Sequence, residues 1–250
     1  MAIHASGYVI GTSKNDEGGL EVYDRNGRRL QWLQLGKTNN VDVRGSTVVS
    51  SNRTRNGVDV LSFKGGRLVF LRSFPVAFEP YGICLSGETV IVTASGAGRV
   101  EQYSLTGRPL RRLSGIESQS EGCVADDARG VIYVAEEERG IWRFGADAVA
   151  ASAGTLIDTV QGNLAADVEG LALAKGHLIA SSQGDDRFAV YRGDAFVGSF
   201  RIADKGNVDG ASGTDGIDAN EALNLLVVHD RENEGGKSSN YKYVRLGDLF

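Results

Sequence analysis

Internal repetition is the feature that most restricts this chain. A short run of strand-forming residues with an aromatic near its end occurs six times: Leu20-Glu21-Val22-Tyr23, Val60-Leu61-Ser62-Phe63, Val100-Glu101-Gln102-Tyr103, Ile141-Trp142-Arg143-Phe144, Phe188-Ala189-Val190-Tyr191 and Tyr241-Lys242-Tyr243. From Tyr23 through Phe63, Tyr103, Phe144 and Tyr191 to Tyr243 the steps are 40, 40, 41, 47 and 52 residues. Most runs lead through a polar turn into a second alternating run, as Asp24-Arg25-Asn26-Gly27 leads into Arg29-Leu30-Gln31-Trp32-Leu33, which signals a β-hairpin. Two more strands precede each hairpin, the second apolar and ending in polar residues, at 8–13, 47–53, 89–95, 131–137, 177–183 and 224–230. Four strands per repeat at this period predict an all-β fold, a six-bladed β-propeller forming one domain over residues 1–250. Period-2 alternation excludes a helical solenoid. The alanine-rich stretch 145–154 reads either as one helical turn or as a long loop.

Composition narrows the function classes. Thirty-four glycines against three prolines fit many tight turns between short strands. A net charge of −5 argues against nonspecific nucleic-acid binding, and an anionic ligand would need local cations or bound metal. Neither an apolar run of membrane-spanning length nor a signal-peptide pattern occurs in these residues, which leaves the compartment open. Cys84 and Cys123 are spaced like buried strand residues and not like a metal clip. They are expected as free core thiols, with a disulfide the lesser alternative.

In a propeller, a residue repeated in register becomes a ring around the axis. The innermost strands begin with Asn39-Asn40-Val41-Asp42, Pro80-Tyr81-Gly82, Ser120-Glu121-Gly122, Asp167-Val168-Glu169-Gly170 and Thr214-Asp215-Gly216. The second strands end with Lys14, Asn52-Arg53, Ser95, Glu136-Glu137, Gln183 and Asp230. Glu121, Glu137, Asp167, Glu169 and Asp215 should therefore gather at one mouth of the channel, where they cannot all ionise without a counter-charge. Such oxygen-rich clusters suit calcium, while the scattered His4, His177 and His229 argue against zinc. Lys14, Lys37 and Arg53 supply cations beside the carboxylates, giving a place for an anion bridged by metal. Any one of these carboxylates alone reads equally well as a solvated turn residue. Asn39, Asn40 and Asp42 are expected to satisfy backbone at the strand start, Lys37 is open between solvated surface and ligand contact, and Tyr81 between channel packing and function. No glycine-rich loop joins a strand to a helix, so a nucleotide fold has no support.

At these residues the sequence resembles the β-propeller phytases, calcium-dependent enzymes that hydrolyse phosphate monoesters of myo-inositol hexakisphosphate. The likeness is carried by residues 36–44, Ser51-Asn52-Arg53, Tyr81-Gly82, Ser120-Glu121-Gly122, Ala125-Asp126-Asp127, residues 133–137, Ile141-Trp142, residues 167–171, residues 180–184 and residues 214–218. It implies calcium held by Glu121, Glu137, Asp167, Glu169 and Gln183 with Tyr81, the four carboxylates being catalytic. Phosphate contacts would fall on Arg53, Tyr81 and Lys14. A structural calcium would lie near Asp209 and Asp230. The implied partner is a small phosphate ester, phytate or its calcium complex, met by a monomer, and export is favoured.

Three departures point to reduced turnover. The family's Asp-Asp-Pro-Ala segment would end just before Met1-Ala2-Ile3, its second phosphate lysine aligns with Gly96 (Arg99 being near enough to substitute), and its paired lysines become Lys14-Asn15-Asp16-Glu17. The last repeat also lacks one outer strand, so the chain is expected to be truncated at its N terminus or to close its ring less completely. The alternatives to a phosphohydrolase are a related propeller that binds calcium or a ligand without turnover, and a metal-dependent lactonase, which would not need Arg53 or Lys14.

Overall fold

Alternating apolar and polar residues between glycine-rich turns produce six short antiparallel meanders, each with sequential strand order. The computed structural model describes residues 1–203, 210–212, 214–231 and 239–249. From the axis outward, the first blade comprises Ala2–Ile3, Val9–Thr12, Gly19–Tyr23 and Arg29–Gln34. The second comprises Thr38–Arg44, Thr47–Asn52, Gly57–Lys64 and Arg67–Pro75, and the third Pro80–Ser86, Thr89–Ala94, Val100–Ser104 and Pro109–Leu113. Ser120–Asp126, Val131–Glu136, Gly140–Gly145 and Thr155–Thr159 form the fourth; Val168–Ala174, His177–Ser182, Arg187–Arg192 and Ala195–Phe200 form the fifth. The sixth contains three strands among the described residues, Ile217–Asn220, Leu225–Asp230 and Asn240–Arg245. The six sheets stand in a ring, a six-bladed β-propeller.

Apolar cores fill the gaps between blades. Ile10, Leu20, Val41 and Leu61 pack between the first and second blades, and Tyr133, Ile141, Leu171 and Tyr191 between the fourth and fifth. Among the described residues, Ile3, Val9 and Val227 are the buried apolar residues of the seam between the sixth blade and the first.

In four blades a hydroxyl near the end of the second strand clasps the inner strand of the next blade. Thr12, Ser51, Thr93 and Ser181 donate to the carbonyls of Asn39, Tyr81, Ser120 and Thr214 at 3.0, 2.6, 2.5 and 2.7 Å. Ala135 occupies this position in the fourth blade, which is instead joined to the fifth by Val168 N–H donating to the Glu137 carbonyl at 3.0 Å.

Two sequence expectations resolve here. Cys84 and Cys123 form a disulfide, with Cα atoms 5.7 Å apart, and are not free thiols. Inner strands of successive blades run side by side around the axis, which brings positions one blade apart within disulfide reach. Past Gly145, which ends a strand, residues 146–154 form a loop and not a helical turn. Arg111 of the third blade holds that loop through the Ala150 and Ala151 carbonyls at 3.1 Å.

Candidate active site at the channel mouth

Tyr81, Glu121, Glu169 and Asp215 stand at the axial end of four successive blades, and each is followed by glycine. A Cβ at Gly82 would lie 1.9 Å from the Glu121 carbonyl oxygen, one at Gly122 2.1 Å from that of Glu169, and one at Gly170 2.7 Å from that of Asp215. Glycine therefore admits the next strand and draws the preceding side chains together. The pairing ladder also slips by a residue where these side chains leave the strand, between Ser120 and Cys123 and between Val168 and Leu171. Such a bulge re-aims a side chain, here toward the channel.

Carboxylate oxygens of Glu121, Glu137 and Glu169 lie within 4.8 Å of one another. Glu121 and Glu169 are 7% and 6% exposed. Glu169 Oε2 is buried and accepts no hydrogen bond among the described residues. Burial first, then the charges of Glu121, Glu137 and Asp215, pushes the Glu169 carboxyl far above the ordinary carboxylate range. Burial also raises Glu137; a 2.7 Å hydrogen bond from Gln119 opposes this, and Glu121 and Asp167 reinforce it. Burial and the same glutamates drive the Tyr81 phenol upward.

Tyr81 links this cluster to two cations. Lys14 lies 5.5 Å and Arg53 5.8 Å from its ring centroid, and Lys14 Nζ is 3.8 Å from Glu121. Arg53 also pairs with Glu79. Lys37 is placed differently, on Asp16 at 2.7 Å. Asp167 neighbours Glu137, and its carbonyl accepts the Gln183 N–H at 2.9 Å. The Gln183 amide donates to Asp215 at 2.6 Å. Burial would raise Asp215, yet a hydrogen bond from His229 and the charges of His229, Lys14 and Arg231 leave it below its ordinary value.

The structure thus draws Lys14, Arg53, Tyr81, Glu121, Glu137, Asp167, Glu169, Gln183 and Asp215 together and leaves Lys37 with Asp16. Asp230 meets other partners, Lys242 at 3.1 Å and the Ser212 N–H at 3.1 Å. Asp209 lies outside the described residues. Arg99 turns to Glu101 at 2.7 Å and rests on the Phe78 ring.

Sequence reading missed Gln119, Glu79, His229 and Arg231. His229 carried a signal, because it falls in register with Thr12, Ser51, Thr93 and Ser181. Behind the mouth the channel opens into a cavity of about 340 Å³ whose lining includes Asn39, Asp42, Glu121, Asp218 and His229.

The donors facing the cluster are carboxylate, amide and phenol oxygens, and both cysteines are consumed by the disulfide. A hard oxygen set with an unpartnered buried carboxylate fits calcium and does not fit a tetrahedral zinc site.

A phytase family model matches residues 84–235, more than half the chain and the part that carries all five carboxylates. The 3-phytase of Bacillus subtilis (strain 168) is 33% identical over 277 aligned residues, which cover 92% of this chain and 72% of that protein. The chain belongs to the β-propeller phytase family. Its fold reaches beyond that family. One chain of the nidogen/laminin complex matches this phytase-family propeller with a TM-score of 0.71 at 16% identity, over 96% of this chain and 90% of the other. The computationally designed Ika8 protein matches with a TM-score of 0.56 at 16% identity, over 98% and 72%. These likenesses concern the fold alone.

Proposed function

We propose that this propeller is a phosphohydrolase that releases phosphate from phytate or a related phosphate ester, with calcium held by Glu121, Glu137, Asp167 and Glu169 together with Tyr81, Gln183 and Asp215. The observation that carries the reading is Glu169 Oε2, buried with no hydrogen-bond partner among the described residues and set among like charges. Three crowded carboxylates cannot all ionise in the free protein, so the cluster favours a cation. Bound there, calcium would supply an activated water and neutralise charge on the phosphoryl oxygens.

The side chains have separable tasks. Arg53 and Lys14 bind substrate phosphate, and both rest on Tyr81, which orients that phosphate toward the carboxylates. Gln119 fixes the rotamer of Glu137, while Gln183 and His229 fix Asp215. A second reading, ligand binding without turnover, draws support from Lys37 and Arg99, both turned onto carboxylates. Phosphate release from sodium phytate with and without calcium separates the two, with p-nitrophenyl phosphate and a lactone as comparison substrates. Calcium-dependent release supports hydrolysis, and none at any calcium concentration favours binding alone.

A further inference from the structure

Two cations, Arg53 at the mouth and Lys37, whose carbonyl accepts the Arg53 N–H at 2.8 Å, are held by carboxylates that stand outside the acidic cluster. Lys37 Nζ meets Asp16 Oδ1 at 2.7 Å, and Arg53 Nη2 meets Glu79 Oε1. Asp16 and Glu79 are open to solvent, with side chains 87% and 43% exposed, whereas the Arg53 side chain is 29% exposed and lies against the Tyr81 ring. Arg53 Nε is buried and without a hydrogen-bond partner among the described residues, so Glu79 satisfies the guanidinium incompletely. A guanidinium takes carboxylate and phosphate through the same planar donor geometry. Exposed ion pairs are weak and exchangeable. Each exposed carboxylate thus occupies donors that a phosphate oxygen could also take.

We propose that Glu79 and Asp16 are specificity-determining residues, stand-ins that occupy Arg53 and Lys37 until substrate phosphate displaces them. This rests on the reading of Arg53 as a phosphate contact and extends that role to Lys37. The displaced carboxylates remain nearby as like charges, so each lowers phosphate affinity at its own position. Binding then favours esters that engage several positions at once, and a single released phosphate is held weakly at either cation. Asp16 belongs to the Asp16-Glu17 pair, which gives this chain acidic residues directly after Lys14-Asn15.

Inorganic phosphate is the probe, titrated by calorimetry into the full chain in low-salt buffer. Glu79→Gln should tighten phosphate binding about threefold to tenfold, and Asp16→Asn by a similar or smaller factor. The gain from Glu79→Gln must vanish in an Arg53→Ala background, a coupling that a merely structural role would not produce. In turnover, Glu79→Gln should lower KM and strengthen inhibition by phosphate while leaving kcat level or lower. Unchanged or weaker phosphate binding in Glu79→Gln, or a gain that persists without Arg53, overturns the proposal, as does failure of both the parent and the two variants to bind phosphate. Tighter phosphate binding in a chain that hydrolyses nothing would support the stand-ins and tell against the hydrolase reading, so the two fail separately.

Discussion

Glu136 and Glu137 are adjacent in sequence and belong to two regions with opposite electrostatics. Glu136 points into the blade wall, fully buried, and accepts from Glu117 N at 2.8 Å, Ser118 N at 2.7 Å, Ser118 Oγ at 2.9 Å and Trp142 Nε1 at 2.7 Å. Glu137 points to the channel mouth, where Gln119 donates to it and Glu121 and Glu169 crowd it. Asp59 and Asp158 resemble Glu136. Asn52 and Arg55 bond the first; Asn163, Thr159 and Tyr191 bond the second. Carboxylates ringed by donors are satisfied inside the chain, and Asp158 also ties the fourth blade to the fifth through Tyr191. Those facing one another with fewer donors are the ones proposed above to hold calcium.

The largest effects should come from the mouth. Glu169→Gln or Glu121→Ala should weaken calcium binding and phosphate release by about 100-fold or more, since a direct ligand matters at least as much as an outer partner. The same variants should leave the calcium-free protein as stable as the parent or more so, because like charges are relieved. Calorimetric calcium titration and melting in EDTA read both halves, and a mouth variant that melts much lower in EDTA would merge the two regions.

Glu136→Gln should do the reverse. It should cost about 1.5–3 kcal/mol of stability in urea unfolding, the range for hydrogen bonds to a charged group, with calcium affinity of the folded protein unchanged. Next comes Arg53→Ala, expected to cost about 1.5–3 kcal/mol in substrate binding or turnover, as for a hydrogen bond to a charged group. Loss of calcium affinity in that variant would assign Arg53 to the wall.

Asp218 is an intermediate case and should give the smallest effect. It lines the channel and accepts from Ile3 N at 2.6 Å and Ala219 N at 2.8 Å, yet burial and then Asp42 push it up to about 7. Between about pH 4 and pH 7 the folded state binds the extra proton, so stability should fall as pH rises through that window. Partial exposure to the channel limits the change to roughly 1–2 kcal/mol. Asp218→Asn should flatten the profile in calcium-free buffer, and a profile just as steep would assign the slope to another group.

How much of this was legible in the sequence follows from the same comparison. Tyr81, Glu121, Glu169 and Asp215 could be foreseen because strand register turns repetition into a ring, and the glycine after each marks the close approach that gathers them. Glu137 was placed at the mouth from its position at the strand end, but the wall role of its neighbour Glu136 was not foreseen, since its partners on residues 117–118 and Trp142 carry no repeat signal. The Arg53–Glu79 and Lys37–Asp16 pairs depend on loop side chains, which carry no periodicity. The disulfide depends on the offset between adjacent inner strands, which spacing within one repeat does not encode. Asp230 shared the register of the strand ends, but its pairing with Lys242 on the next strand was hidden by reading strand ends alone.

The most direct test of the division between mouth and wall is a calcium isotherm on the parent chain, Glu169→Gln and Glu136→Gln, each run in parallel with phosphate release from phytate. The account predicts saturable calcium binding and calcium-dependent release in the parent, both retained in folded Glu136→Gln and both lost in Glu169→Gln. Calcium binding and release that survive in Glu169→Gln would contradict it.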